Sequence, residues 1–119
     1  MLFRSGEAQI QAGYTPFGDD VIEAIRVGSE GHREFLHLEA GRPYVFVGAC
    51  DQSCTDVDME IIGPRGEVIA SDMAPDDRPV VGVTPPRDGD YVVHITLADC
   101  SAQQCVVGMR GFRRERARR

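Results

Sequence analysis

The sequence predicts an all-β fold, an antiparallel β-sandwich or jelly-roll of about eight strands led by a short N-terminal helix. Three observations predict it. From Asp20 onward the apolar residues come in short runs divided by turn residues, and no helical period returns. Alternation is clearest in two of those runs: Val57, Met59 and Ile61 against Asp56, Asp58 and Glu60, and Tyr91, Val93, Ile95 and Leu97 against Val92, His94 and Thr96. Finally, 119 residues with 42% apolar content, 13 glycines and 7 prolines suit one globular core and leave no room for a second.

Taken in order, "MLFRSGEAQIQAGYTPF" has helix-compatible apolar positions at Leu2, Phe3 and Ile10 and is then broken by Gly13, Pro16 and Gly18, which predicts a short helix and a turn. The expected strands are "DVIEAIRV" (20–27), "REFLHLE" (33–39), "PYVFVGA" (43–49), "DVDMEII" (56–62), "EVIAS" (67–71), "PVVGVT" (79–84), "DYVVHITLA" (90–98) and "CVVGMRGF" (105–112). The third and sixth are apolar on both faces, which predicts central strands or strands covered by the helix. The organisation is thus a helix and linker over 1–19, a sandwich over 20–112 and a basic tail over 113–119. In "PPRDGDYVV", Asp88 and Gly89 suit a tight turn with positive φ, and Tyr91 opens an inward-facing series.

Charge is unevenly spread. From Arg110 to the end there are six arginines and one glutamate, a net of +5, leaving −11 on the rest of a chain whose total is −6. An acidic body repels nucleic acid and anionic lipid, so neither is an expected partner, and the arginine run reads as a solvated end. No apolar run approaches the ~20 residues of a membrane span. "MLFRSGEAQI" lacks a signal-peptide core, so an exported protein is expected to have lost its signal.

Successive connections in an antiparallel sandwich alternate between its two ends. One end then collects "GSEGH", "CDQSCT", "DMAPDDR" and "DCSAQQC"; the other collects the tight turns "AGR", "GPRG" and "PPRDG". All four cysteines fall at the first end, Cys50 with Cys54 and Cys100 with Cys105. Neither spacing is the CxxC of zinc knuckles or of thioredoxin-type redox sites, so two local disulfides are expected, each across a hairpin loop where Cα atoms come within about 5 to 6 Å. Disulfides place the domain in an oxidising compartment, periplasmic or extracellular.

The loops of that end also carry Asp51, Asp72, Asp76, Asp77 and Asp99, the expected binding-loop residues. Oxygen ligands on loops suit calcium, and Asp56, Asp58, Asp72, Asp76 and Asp77 make up the alternative, a calcium site; there is no EF-hand spacing, and no cofactor is otherwise expected. His32, His37 and His94 are placed on different strands with no spacing that links them. Ser53, Ser71 and Ser101 sit in no nucleophile motif, so no catalytic residue is expected.

The order "DVDMEIIGPRGEVIASD", a loop, then "PVVGVTPPRDGDYVVHI" resembles the bacterial pre-peptidase C-terminal domain, at Asp56, Val57, Asp58, Met59, Gly63, Gly66, Asp72, Gly89 and Tyr91. The resemblance covers about Gly31 to Phe112. It implies a compact β-sandwich appended to exported proteins, with a role in binding, localisation or secretion and none in the chemical step. The sequence therefore predicts a non-enzymatic, disulfide-stapled accessory domain that engages a protein or polysaccharide through its cysteine-bearing end. The lack of tryptophan favours a protein.

Overall fold

In a computed structural model, which describes residues 7–116, the chain forms one short helix, α1 (Glu7–Gln11), and eight strands. These are β1 (Thr15–Ile25), β2 (His32–Leu38), β3 (Tyr44–Cys50), β4 (Cys54–Ile62), β5 (Val68–Asp72), β6 (Val80–Val83), β7 (Gly89–Cys100) and β8 (Cys105–Arg113). Leu2 and Phe3, expected in the helix, lie outside the described residues, as does the end of the basic tail. Every expected strand is present. β1 starts ahead of the expected Asp20, and Arg113, assigned to the tail, belongs to β8.

The strands make two four-stranded antiparallel sheets, ordered β1-β8-β3-β6 and β2-β7-β4-β5, the strand order of a jelly-roll. Every connection except β4–β5 passes from one sheet to the other. The core lies between the sheets, where the alternation placed it: Val57, Met59 and Ile61 from β4 and Tyr91, Val93 and Ile95 from β7 are all but fully buried against Phe46 and Met109 of the facing sheet. A large buried aliphatic or aromatic side chain contributes about 1.5 to 3 kcal/mol through the area it removes from water.

β3 is central, between β8 and β6, as expected. β6 is not: it is the sheet's edge, four residues long. Its outward Val80 is half exposed and lies beside Val47 of β3. The valines that suggested a central strand therefore serve one inward contact, through Val81, and one outward contact with a neighbouring valine. α1 adjoins β1.

The two ends of the sandwich are closed by different chemistry. At the tight-turn end two buried tyrosines reach out from the core: Tyr91 Oη donates to the Arg87 carbonyl (2.8 Å), and Tyr44 Oη accepts from the Glu39 amide (2.9 Å). Gly89, expected to need positive φ, has none. It is constrained by proximity instead, since a Cβ there would stand 3.0 Å from Pro64 Cγ. β1 carries an irregularity between Phe17 and Val21, and Asp20 within it is gripped by Arg110 of β8 through two bonds of 3.0 and 2.7 Å. That hydrogen bond lowers the Asp20 carboxyl below its ordinary range.

Gly31 is the tightest backbone position. Its φ is +72°, and a Cβ would fall 1.9 Å from the Ile95 carbonyl oxygen, which is backbone and cannot step aside. Gly31→Ala is expected to cost more than about 2 kcal/mol. Tyr91→Ala should cost about 3 to 5 kcal/mol, and Tyr91→Phe about 1 kcal/mol for the hydroxyl alone. Urea midpoints of the three variants check the ranking.

Candidate functional site

The four connections assigned to one end do converge there. Cys50 ends β3 and Cys54 begins β4; Cys100 ends β7 and Cys105 begins β8. The pairs are Cys50–Cys54 (Cα–Cα 5.9 Å) and Cys100–Cys105 (6.2 Å), the expected local pairing, and no cysteine is free. Neither disulfide closes a hairpin, however. β3 and β8 belong to one sheet and β4 and β7 to the other, so each bond ties sheet to sheet across an arch. Cys54 is the register partner of Cys100 within their sheet, which sets the two disulfides side by side over the end of the core.

The aspartates of the arches brace them. Asp51 Oδ1 accepts from the Ser53 amide (3.0 Å) and Oδ2 from the Val106 amide (2.8 Å), while its own amide donates to the Val106 carbonyl (3.0 Å). One carboxylate thus locks both disulfide arches together. The Ser101 amide donates to the Ser53 carbonyl (2.8 Å), and the Thr55 hydroxyl bonds Asp99. At the end of β5, Asp72 accepts from the amides of Ala74 and Val80 (3.0 Å each), and in the β5–β6 connection Asp76 accepts from that of Arg78 (3.0 Å). The same connection is laid against β3 and β4 by Gly48 N to Pro79 O (2.8 Å) and Val57 N to Asp76 O (3.0 Å). Asp51, Asp72 and Asp76 are therefore occupied in holding loop backbone, a role the sequence reading did not assign. The side chain of Asp77 is described with no such bond.

Asp56 and Asp58 stand two apart on the outward face of β4. The Oδ1 atom of each is buried and accepts no hydrogen bond from the protein. Burial first, then the charges of Asp56 and Asp72, raise the Asp58 carboxyl above its ordinary range. Among the described residues no three His, Cys, Asp or Glu side chains converge in a way that could hold a metal ion. The five aspartates of the calcium alternative are spread over β4, the end of β5 and the β5–β6 connection.

His32 and His37 share β2, contrary to the expectation of separate strands. His32 lies between Glu34 (2.9 Å) and Glu23 (3.7 Å), and His37 meets Asp90 (3.2 Å). His94 spans from Glu60 (3.3 Å) to the Glu30 carbonyl (2.5 Å) and so ties the β1–β2 connection to β7. Two residues at this end escaped the sequence reading: Met73, 52% exposed in the acidic connection, and Val27, half exposed in the β1–β2 connection. The signal of Met73 was an apolar side chain inside a turn-rich, acid-rich stretch; Val27 was expected to end the first strand, 20–27, but β1 stops at Ile25 and leaves it in the connection.

At the opposite end Glu39, Arg42, Glu115 and Arg116 line an open cleft of about 230 Å³. Arg116 donates to the Ala40 carbonyl (2.7 Å) and Arg42 to that of Arg114 (3.1 Å), and both guanidinium groups lie near Glu39. Arg114 and Arg116 of the arginine run are therefore docked on the β2–β3 turn, where a solvated end was expected. Glu39 already supplies the anion for that cleft. No family model matches the chain, and no curated protein matches it significantly.

Asp51→Ala should cost about 1 to 2 kcal/mol because it leaves two half-buried donors without their partner, whereas Asp77→Ala should stay within about 0.5 kcal/mol. Asp58 is more protonated in the fold than in the unfolded chain at the same pH, so its contribution to stability is present in acid and is lost as pH rises through its raised pKa. Asp58→Asn should accordingly be more stable than the parent at pH 7, with the gain gone below pH 3.8, the ordinary carboxyl value. Urea midpoints at pH 7 and pH 3 read it out.

Proposed function

We propose that the protein is a non-enzymatic binding or accessory domain of the periplasm or the extracellular space, and that it engages a protein partner through its cysteine-bearing end. The observation that carries the reading is the build of that end. Two inter-sheet disulfides and the Asp51 carboxylate hold adjacent arches in one arrangement, and an exposed Met73 stands among acidic side chains beside them. A rigid frame lowers the ordering entropy a partner must meet on binding, and a flexible thioether with carboxylates around it suits a basic surface with an apolar anchor. This is the kind of role that the resemblance to pre-peptidase C-terminal domains implies. Disulfides persist outside the reducing cytosol, which supports the compartment. A polysaccharide fits less well, because the exposed strand aromatic, Phe35, stands on a sheet face away from this end. The non-enzymatic reading is supported by the cysteines, which are all tied in disulfides and offer no thiolate nucleophile.

Peptides selected from a displayed random library against the oxidised protein test the surface. They should be basic with one or two apolar residues, and Met73→Asp combined with Asp77→Arg should weaken them at least tenfold. Uncharged peptides, or binding untouched by the double variant, contradict the reading. Intact mass after alkylation without reductant should show no modified thiol; four would remove both the disulfides and the compartment. Calcium is expected to leave the melting temperature unchanged at millimolar concentration, whereas a site filled at 100 times its dissociation constant would add about 2.7 kcal/mol.

A further inference from the structure

Each disulfide at the cysteine-bearing end has one open and one closed member. Cys50 and Cys100 are half-buried, whereas Cys54 is 4% exposed and Cys105 is fully buried. Thiol–disulfide exchange starts with a thiolate that reaches a disulfide sulfur, and access decides which sulfur is attacked. One sulfur of each bond is therefore open to a thiolate from solvent.

The two bonds are also neighbours in a way that favours exchange between them. Cys54 of β4 and Cys100 of β7 are register partners in an antiparallel pair, and both side chains pack at the end of the core. The ladder bond beside them runs from the Ser101 amide to the Ser53 carbonyl (2.8 Å), one residue outside the pair, while the Cys54 amide turns to the Asp51 carbonyl (3.1 Å). Cys54 and Cys100 thus occupy a non-hydrogen-bonded position, where opposed Cα atoms stand about 4.5 Å apart and side chains are closest. That separation lies within the range of about 4.4 to 6.8 Å that a disulfide spans. The ladder of β4 and β7 holds the two sulfurs together whether or not either disulfide is closed.

We propose that the two disulfides form a single two-electron redox switch, in which reduction by a dithiol leaves a Cys54–Cys100 bond within one sheet in place of the two bonds between sheets. A thiolate of the reductant attacks the half-buried sulfur, and its second thiol then closes the reductant to its own disulfide, which leaves two thiols on the protein. If Cys50–Cys54 is the bond opened, the Cys54 thiolate attacks Cys100 Sγ, and Cys105 leaves as a thiolate and takes up a proton. If Cys100–Cys105 is opened, the Cys100 thiolate attacks Cys54 Sγ and Cys50 leaves in the same way. Both routes end in one state, with thiols at Cys50 and Cys105, one protein disulfide and a reductant oxidised by two electrons. The exchange removes both ties between the sheets at once and leaves the Asp51 carboxylate to hold the arches. Two electrons thereby loosen that end while the register of β4 and β7 is kept. The step is independent of which partner binds there.

One equivalent of dithiothreitol added to the native oxidised chain tests this, with an acid quench, thiol blocking by N-ethylmaleimide and mapping by tandem mass spectrometry. The species that carries two blocked thiols should carry them at Cys50 and Cys105 and retain a Cys54–Cys100 disulfide. In that species the Ser53 and Val106 amides should exchange at least tenfold faster than in the oxidised protein, while the Ser101 amide beside the new bond keeps its protection. In a Cys50→Ser, Cys105→Ala variant, the two remaining cysteines should join on oxidation in air. Blocked thiols found chiefly at Cys50 with Cys54, or at Cys100 with Cys105, overturn the proposal, as does a folded double variant that keeps two free thiols in air.

Discussion

The two disulfides side by side at one end are the constraint on which the loop arrangement depends. In this topology almost every connection must leave one sheet and enter the other, so a loop at either end is an arch across the core and has no hydrogen-bonded ladder of its own. Closing an arch with a covalent bond between its two feet fixes the distance between the sheets there. Two such bonds in neighbouring positions, with Cys54 and Cys100 in register, fix the angle as well. The Asp51 carboxylate then has both arches within reach, and its two oxygens can each take a backbone amide. Without the bonds, that carboxylate would have to order both arches alone.

The opposite end solves the same problem without covalent chemistry. Its turns are tight, and the hydroxyls of Tyr44 and Tyr91 extend from the core to bond their backbone. The result is an asymmetric molecule: an end with short turns and arginines, and an end with longer acidic connections held by cysteines. By the loop-length formula, rings of so few residues contribute about 2 kcal/mol each through the entropy of the unfolded chain. The core of β4 and β7 carries the fold, and the staples set the geometry of the arches above it.

Most of the fold was legible because the chain writes its sheets in a period of two. Val57, Met59, Ile61, Tyr91, Val93, Ile95 and Leu97 could be assigned to the core from alternation, and the core is where they lie. Counting connections was enough to gather all four cysteines at one end. What could not be read is which sheet a strand joins. The spacing of Cys50 and Cys54 is the same for a hairpin and for an arch, and "PVVGVT" looks alike as a central strand or as an edge beside Val47. The aspartates of the loops were visible as charges, but a carboxylate that accepts two loop amides has the same letter as one that meets solvent. That Cys54 and Cys100 are neighbours was equally hidden, since it follows only once β4 and β7 are placed in register.

The most direct measurement of the account is hydrogen exchange on the oxidised and the fully reduced protein under native conditions. Reduction should release amides of the arches, those of Asp51, Cys54, Ser101 and Val106 among them, while the core amides of Ile61, Val93 and Ile95 keep their protection. Equal exchange before and after reduction, or loss of protection throughout the core, would contradict the assignment of the disulfides to the geometry of that end.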